Sequence, residues 1–273
     1  MIIHLCNLLF LYCLQFMLSR STIPINKIIS ISPGGFKGFY QLGIGSYIKE
    51  TYYTDNILFT GASAGAWVSL MMVHKGDHKH LINDLIKWTN ESSENNNQLS
   101  IIMQELKTKI LSNYKTSDFD LSRLFVGVVQ IDKMYTPPKL FIHNNFLTLE
   151  EAVDCCIASS HIPFITGGLI KKYKNKISFD GGFSNFPYLK ISNTLSIFHI
   201  HPKLWIENEL SNELSNSNNK NKNRNQILNL NFNLHDYTTL FSRNKLNLYD
   251  LYSRGYNNSI NNKHILDKIL CKK

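Results

Sequence analysis

The chain offers no paired cysteines. Its five (Cys6, Cys13, Cys155, Cys156, Cys271) show no framework spacing, and Cys155 and Cys156 are neighbours, poorly placed to bond each other. That pattern excludes a disulfide scaffold and a cysteine-based metal site, and it suits a reducing compartment. Zinc-finger spacing is absent too, as is an aromatic RNA-binding signature, so the sequence gives nothing that reads nucleic acid. There is no internal repeat. Acidic side chains are in short supply, 20 against 29 Lys and Arg, which leaves a net charge of +9 over 273 residues. With no base-reading element present, that excess points to an anionic lipid surface.

The first eighteen residues lack charge as well. Ile2 to Leu18 is apolar except for His4, Asn7 and Gln15. Three readings stay open. It is a signal peptide, with Ser19 and Ser21 spaced like a cleavage site but without basic residues in front. Or it is a signal anchor, with Arg20 and Lys27 holding the main domain in the cytosol. Or translation starts at Met17. The first makes the protein secreted if Met1–Ser19 is removed; the second makes it membrane-associated with a cytosolic domain.

What is present begins with an alternating, β-branched run, Lys27-Ile28-Ile29-Ser30-Ile31-Ser32, which predicts a strand. Pro33-Gly34-Gly35-Phe36-Lys37-Gly38 breaks it, and helical spacing follows over Phe39–Glu50. A second apolar run, Ile57–Thr60, leads into Gly61-Ala62-Ser63-Ala64-Gly65 and another helix-like stretch. Strand, glycine-rich turn and helix, twice over, predict an α/β fold: a mainly parallel sheet flanked by helices in a three-layer α/β/α arrangement. Residues 81–111 read as helix with a polar break at Glu91–Gln98. Leu124–Ile131, Leu140–His143, Ile177–Asp180 and Leu195–Ile200 read as strands. Thr148-Leu149-Glu150-Glu151 opens a helix with a capping-box pattern. The expected organisation is an apolar leader (1–20), a catalytic domain (27–202), an Asn-rich linker (207–230) too polar to order itself, and a C-terminal helical segment (231–273) that docks back on the core.

Gly-x-Ser-x-Gly between a strand and a helix is the pattern of a nucleophile elbow, in which a serine sits on a turn with room only for hydrogen on either side. A serine hydroxyl needs a base to take its proton and preorganised donors for the oxyanion. Ser63 is the candidate nucleophile. Pro33–Gly38 is a strand-to-helix turn whose amides, at Gly34 and Gly35 above all, can approach an oxyanion because no Cβ intervenes. Asp180 ends a predicted strand before Gly181 and Gly182 and can reach Ser63 from a neighbouring strand end, as at the carboxyl edge of an open α/β sheet.

These three blocks, in this order, resemble the signature blocks of the patatin-like phospholipase family. Tyr40-Gln41-Leu42-Gly43 and Ala158-Ser159-Ser160-His161-Ile162-Pro163-Phe164 agree with it. The text from Phe179 to Pro187 is similar to the triacylglycerol-lipase (adiponutrin-like) branch. The resemblance spans about residues 27–202. It implies a Ser63–Asp180 dyad without histidine, oxyanion amides at Gly34 and Gly35, and motif glycines at Gly38, Gly61, Gly65, Gly181 and Gly182. It also implies a glycerolipid or phospholipid substrate at a membrane or lipid-droplet surface, and no metal or organic cofactor. One departure stands out: the family's opening glycine is Pro33, which has no N–H to donate.

Two alternatives remain beside this reading. One is an α/β-hydrolase triad, since chain order also permits Ser63, Asp180 and His199 or His201. The other is a catalytically inactive patatin-fold protein that binds membranes or a partner. The basic run Lys171-Lys172-Tyr173-Lys174-Asn175-Lys176 reads as a hairpin turn that is either simply solvated or in touch with anionic headgroups. Trp67, Trp88 and the phenylalanines read as core.

Overall fold

The computed structural model describes residues 25–95, 99–132, 135–184, 189–206 and 247–273. The leader, the Asn-rich linker and the first part of the C-terminal segment lie outside them. Seven strands form one sheet: β1 (Lys27–Ile31), β2 (Ile57–Ala62), β3 (Leu124–Ile131), β4 (Lys139–His143), β5 (Lys171–Tyr173), β6 (Lys176–Phe179) and β7 (Ser196–Ile200). The helices are α1 (Gly38–Thr51), α2 (Ala64–Met72), α3 (His78–Asn95), α4 (Leu99–Asn113), α5 (Leu149–Ser159), α6 (Leu248–Asn261) and α7 (Lys263–Ile269). The fold is mixed α/β, with a mostly parallel sheet and flanking helices.

The parallel core is β7-β1-β2-β3. Every residue of β2 is buried, and β1 is buried after Lys27, as expected of parallel strands covered on both faces. Ile29, Ile31, Ile57 and Phe59 join the helices in one hydrophobic cluster. On the opposite face Ile28, Ser30, Leu58 and Thr60 are also buried. There the Leu189 segment lies across the strands: its amide donates to Ser30 Oγ at 3.2 Å and its carbonyl accepts from Thr60 Oγ1 at 3.5 Å.

β3 organises the site. Val126 and Gly127 pair with Gly61 and Ala62 on one edge and with His143 and Ile142 on the other. Val129 and Gln130 pair with Phe179 and Ser178, again opposite β4. Since β4 occupies one edge throughout, β2 and β6 share the other. β6 runs antiparallel to β3, so the two strands point at each other and their C-terminal ends meet head-on. The sequence reading expected Asp180 to reach Ser63 from the end of a neighbouring strand; β2 and β6 are not neighbours but meet end to end along one edge of β3. β5 and β6 make the expected hairpin, closed by Lys174 and Asn175 at φ 48° and 61°, the double left-handed turn that suits the twist of paired strands.

The capping-box signal at the start of α5 is half met, since the Glu151 carboxylate accepts from the Leu147 amide at 3.0 Å and not from that of Thr148. Thr148 Oγ1 accepts from the Glu151 amide at 3.1 Å, capping α5. α6 docks on α1, and there the chain approaches itself closely: a Cβ on Gly43 would overlap the Tyr252 carbonyl, and one on Gly255 the Tyr40 carbonyl. Among the described residues no helix is long and apolar enough to cross a membrane.

Candidate active site

The elbow is built by exclusion of side chains. Ser63 caps α2 with φ 54° and ψ −127°, a strained conformation for a residue with a Cβ. On either side, a Cβ at Gly61 would overlap the Gly65 carbonyl, and one at Gly65 would overlap the Ile31 carbonyl. Both glycines are therefore needed for β2, α2 and β1 to come this close. Gly38 acts in a similar way. A Cβ there would stand 2.9 Å from that of Ala64, so its absence lets the N-termini of α1 and α2 converge. Both helices thus direct the positive ends of their dipoles towards the turn around Ser63.

The structure brings Ser63 and Asp180 together. The Ser63 hydroxyl donates to the Asp180 carboxylate, which also accepts from the Gly182 amide at 2.6 Å. Asp180 is only 2% exposed and Ser63 8%. Burial pushes the Asp180 carboxyl up from 3.8 to about 6, while the bonds from Ser63 and Gly182 pull the other way. The turn behind it is equally tight. A Cβ on Gly181 would overlap the Gly127 carbonyl and crowd Ala62, and one on Gly182 would lie 2.9 Å from Asp180 Oδ1.

The glycine turn after β1 lies beside this pair, since the Pro33 ring carbons are 3.1 Å from where a Gly182 Cβ would be. Gly35 takes φ 51°, which favours glycine; Gly34 is extended at φ −164°. Lys37 donates its amide back to the Gly34 carbonyl at 3.0 Å. The Gly34 and Gly35 amides donate to no acceptor among the described residues. Pro33 removes a donor one residue earlier and leaves these two untouched. Gln41, fully buried, anchors the turn from α1 through Nε2 to the carbonyls of Ser32 (3.0 Å) and Ile200 (3.3 Å).

The histidines of the triad alternative lie on and just after β7, against the head of the glycine turn. His199 lies on β7, where its Nε2 is 2.5 Å from Ser32 Oγ, and its ring centre is 5.7 Å from that of His201 with the planes tilted by 45°. β1 lies between β7 and β2, and the Ser63 hydroxyl goes to the carboxylate. Among the described residues no three His, Cys, Asp or Glu side chains gather as a metal site.

Two supports escaped the sequence reading. Ser159, at the end of α5, takes the Ser63 amide on its Oγ at 2.8 Å and donates to the Gly127 carbonyl at 2.6 Å. It ties the elbow to β3 and spends the Ser63 N–H, which is thereby unavailable to an oxyanion. The His161 carbonyl accepts the Asp180 amide at 2.7 Å and holds the other half of the pair. Both lie inside Ala158–Phe164, but nothing local in that stretch tells which partner each takes. The phenylalanine expectation needs correction as well: Phe164 and Phe183 are 79% and 52% exposed, because each sits on a turn just past a residue tied to the site.

The mixed α/β frame thus brings together a buried carboxylate, a serine on a strand-to-helix elbow, and a glycine turn whose amides have no acceptor among the described residues. The family model for patatin-like phospholipases matches residues 29–190, more than half of the sequence, and the chain belongs to that family. Among solved structures it is similar to VipD from Legionella pneumophila, at 13% identity and a TM-score of 0.40, over 88% of this chain and 67% of that one. No curated protein matches.

Proposed function

We propose that the protein hydrolyses carboxylic esters of glycerolipids through a Ser63–Asp180 dyad. The observation that carries this reading is the hydrogen bond between the Ser63 hydroxyl and a buried carboxylate whose pKa lies near 6. Such a group is ionised at neutral pH yet basic enough to accept a proton. As Ser63 Oγ attacks the ester carbonyl carbon, its proton passes to Asp180, and the oxyanion is received by the Gly34 and Gly35 amides. Collapse expels the alcohol, which takes that proton from Asp180 and leaves an acyl-serine. Water then attacks the acyl carbon, Asp180 accepts its proton and returns it to Ser63 Oγ, and the fatty acid departs. No step requires a cofactor.

The substrate class is a glycerolipid or phospholipid ester, as the family's description as patatin-like phospholipases suggests. The excess of basic residues supports action at a membrane or lipid-droplet surface. The test is labelling with a serine-directed fluorophosphonate followed by peptide mapping. The label is expected on the peptide containing Ser63 and is expected to vanish in Ser63→Ala. A folded chain that neither labels nor releases fatty acid from a glycerolipid panel overturns the proposal in favour of the inactive binding protein.

A further inference from the structure

Among the described residues, the densest run of exposed apolar side chains lies beside the dyad. Phe164, Ile165, Leu169 and Ile170 are all exposed within one stretch of seven residues, and Phe183 joins them from the next turn. Exposed apolar groups gathered this way mark an interaction surface, unlike the scattered singles of an ordinary exterior.

This stretch is held in place. Thr166 is buried; its Oγ1 accepts from the Ile162 amide at 2.7 Å and donates to the Ser160 carbonyl at 2.9 Å. The Ile165 and Thr166 amides close back on the Ile162 carbonyl at 3.1 and 3.0 Å. Phe164 is forced to φ 64° at the tip, so backbone strain is accepted while a ring is presented to water. Beyond it Gly168 stands clear, with nothing within 4 Å of where a Cβ would be. Both apolar turns are rooted at the site: His161 bonds the Asp180 amide, and the Phe183 amide bonds the Asp180 carbonyl at 3.1 Å.

Charge selects the occupant. Ile170 runs directly into Lys171 and Lys172, which make no ion pair among the described residues, whereas Lys174 and Lys176 are neutralised by Glu151 and Asp132 at 2.8 and 2.5 Å. From His161 to Ser184 the only carboxylate is Asp180, and it is buried. An apolar tip followed by two lysines that make no ion pair among the described residues complements an anionic headgroup layer over hydrocarbon.

We infer that Phe164–Ile170 and Phe183 dock on an anionic lipid surface, with Lys171 and Lys172 in the headgroup layer, and so hold the dyad against the lipid it acts on. The purpose rests on the hydrolase reading above, but the docking does not. The test is hydrogen–deuterium exchange of the full chain with phosphatidylcholine–phosphatidylserine vesicles, read peptide by peptide so that the apolar leader reports separately. Residues 163–172 and the Phe183 turn are expected to gain protection. Lys171→Gln with Lys172→Gln should raise the vesicle concentration for half-protection about thirty-fold, the ratio for two lysines at about 1 kcal/mol each. Phe164→Ser should weaken protection without moving the unfolding temperature. Ser63→Ala should be protected like the parent, which separates failure of docking from failure of the dyad. Three results would each overturn the inference. One is no protection of this stretch while the leader is protected. Another is equal protection on phosphatidylcholine alone. The last is protection without vesicles that grows with protein concentration, which would name a second copy as the occupant.

Discussion

Ser63 and Phe164 are both forced into left-handed backbone, at φ 54° and 64°, yet one is 8% exposed and the other 79%. Their supports differ in kind. Around Ser63 the strain is held by backbone pressed on backbone, through Gly61 and Gly65, with a single side-chain brace from Ser159. Around Phe164 it is held by the Thr166 hydroxyl and two amides that close on the Ile162 carbonyl, and the strained side chain stands exposed. The inner turn therefore fixes an atom to a fraction of an ångström and tolerates almost no change in side chain. The outer turn fixes only a direction and leaves the residue at its tip free to vary.

The most severe test of that contrast is Gly65→Ala, whose new methyl would overlap the Ile31 carbonyl. It is expected to cost about 4 kcal/mol or prevent folding, read by denaturant unfolding; a small loss would mean the elbow can relax.

Next is Asp180→Asn, which should lower kcat about 10²–10⁴-fold. Wild-type kcat/KM should rise through about pH 6 as the carboxyl ionises. Stability should move the other way. The folded pKa of Asp180 is raised, so its contribution is fully present below about pH 4 and lost as pH climbs to about 6, by about 3 kcal/mol. Asp180→Asn should flatten that part of the stability profile.

Ser159→Ala comes third. It leaves the Ser63 amide and the Gly127 carbonyl without their buried partner, for an expected loss of about 1–3 kcal/mol. kcat should fall while KM holds, because the elbow shifts but the apolar rim does not.

His199→Ala should change least, leaving kcat/KM within a factor of about two. A triad histidine would instead cost about 10²–10⁴-fold.

The inner region was legible in the sequence because its constraints are local. A turn that admits no side chain must spell glycine, so Gly61, Gly65, Gly181 and Gly182 announced the elbow and the aspartate turn. Strands buried on both faces must be apolar, so β1 and β2 announced themselves. What stayed hidden is tertiary. The run at Ile177–Asp180 carries no sign of which way its strand lies in the sheet, so the head-on meeting with β2 could not be read. Ser159 is one serine of many until its partners are known. Gly43 and Gly255, two hundred residues apart, reveal a helix crossing only once both helices are in place. Phe164 looked like core because an apolar residue in a folded chain usually is; only the Thr166 bonds show that its turn faces outwards.

Because β2 and β6 end against the same edge of β3, the strand beneath acts as a ruler for the chemistry. Ala62 is paired to Gly127 and Phe179 to Val129, two residues apart, or about 7 Å of β-strand. The gap between Ser63 and Asp180 is set by that interval and not by the connections that lead into it. Insertions between β3 and β5 that spare Ser159 and His161 can reshape the exposed apolar turn without moving Ser63 or Asp180. A one-residue slip of β6 along β3 would pull the carboxylate from the hydroxyl while leaving every motif intact.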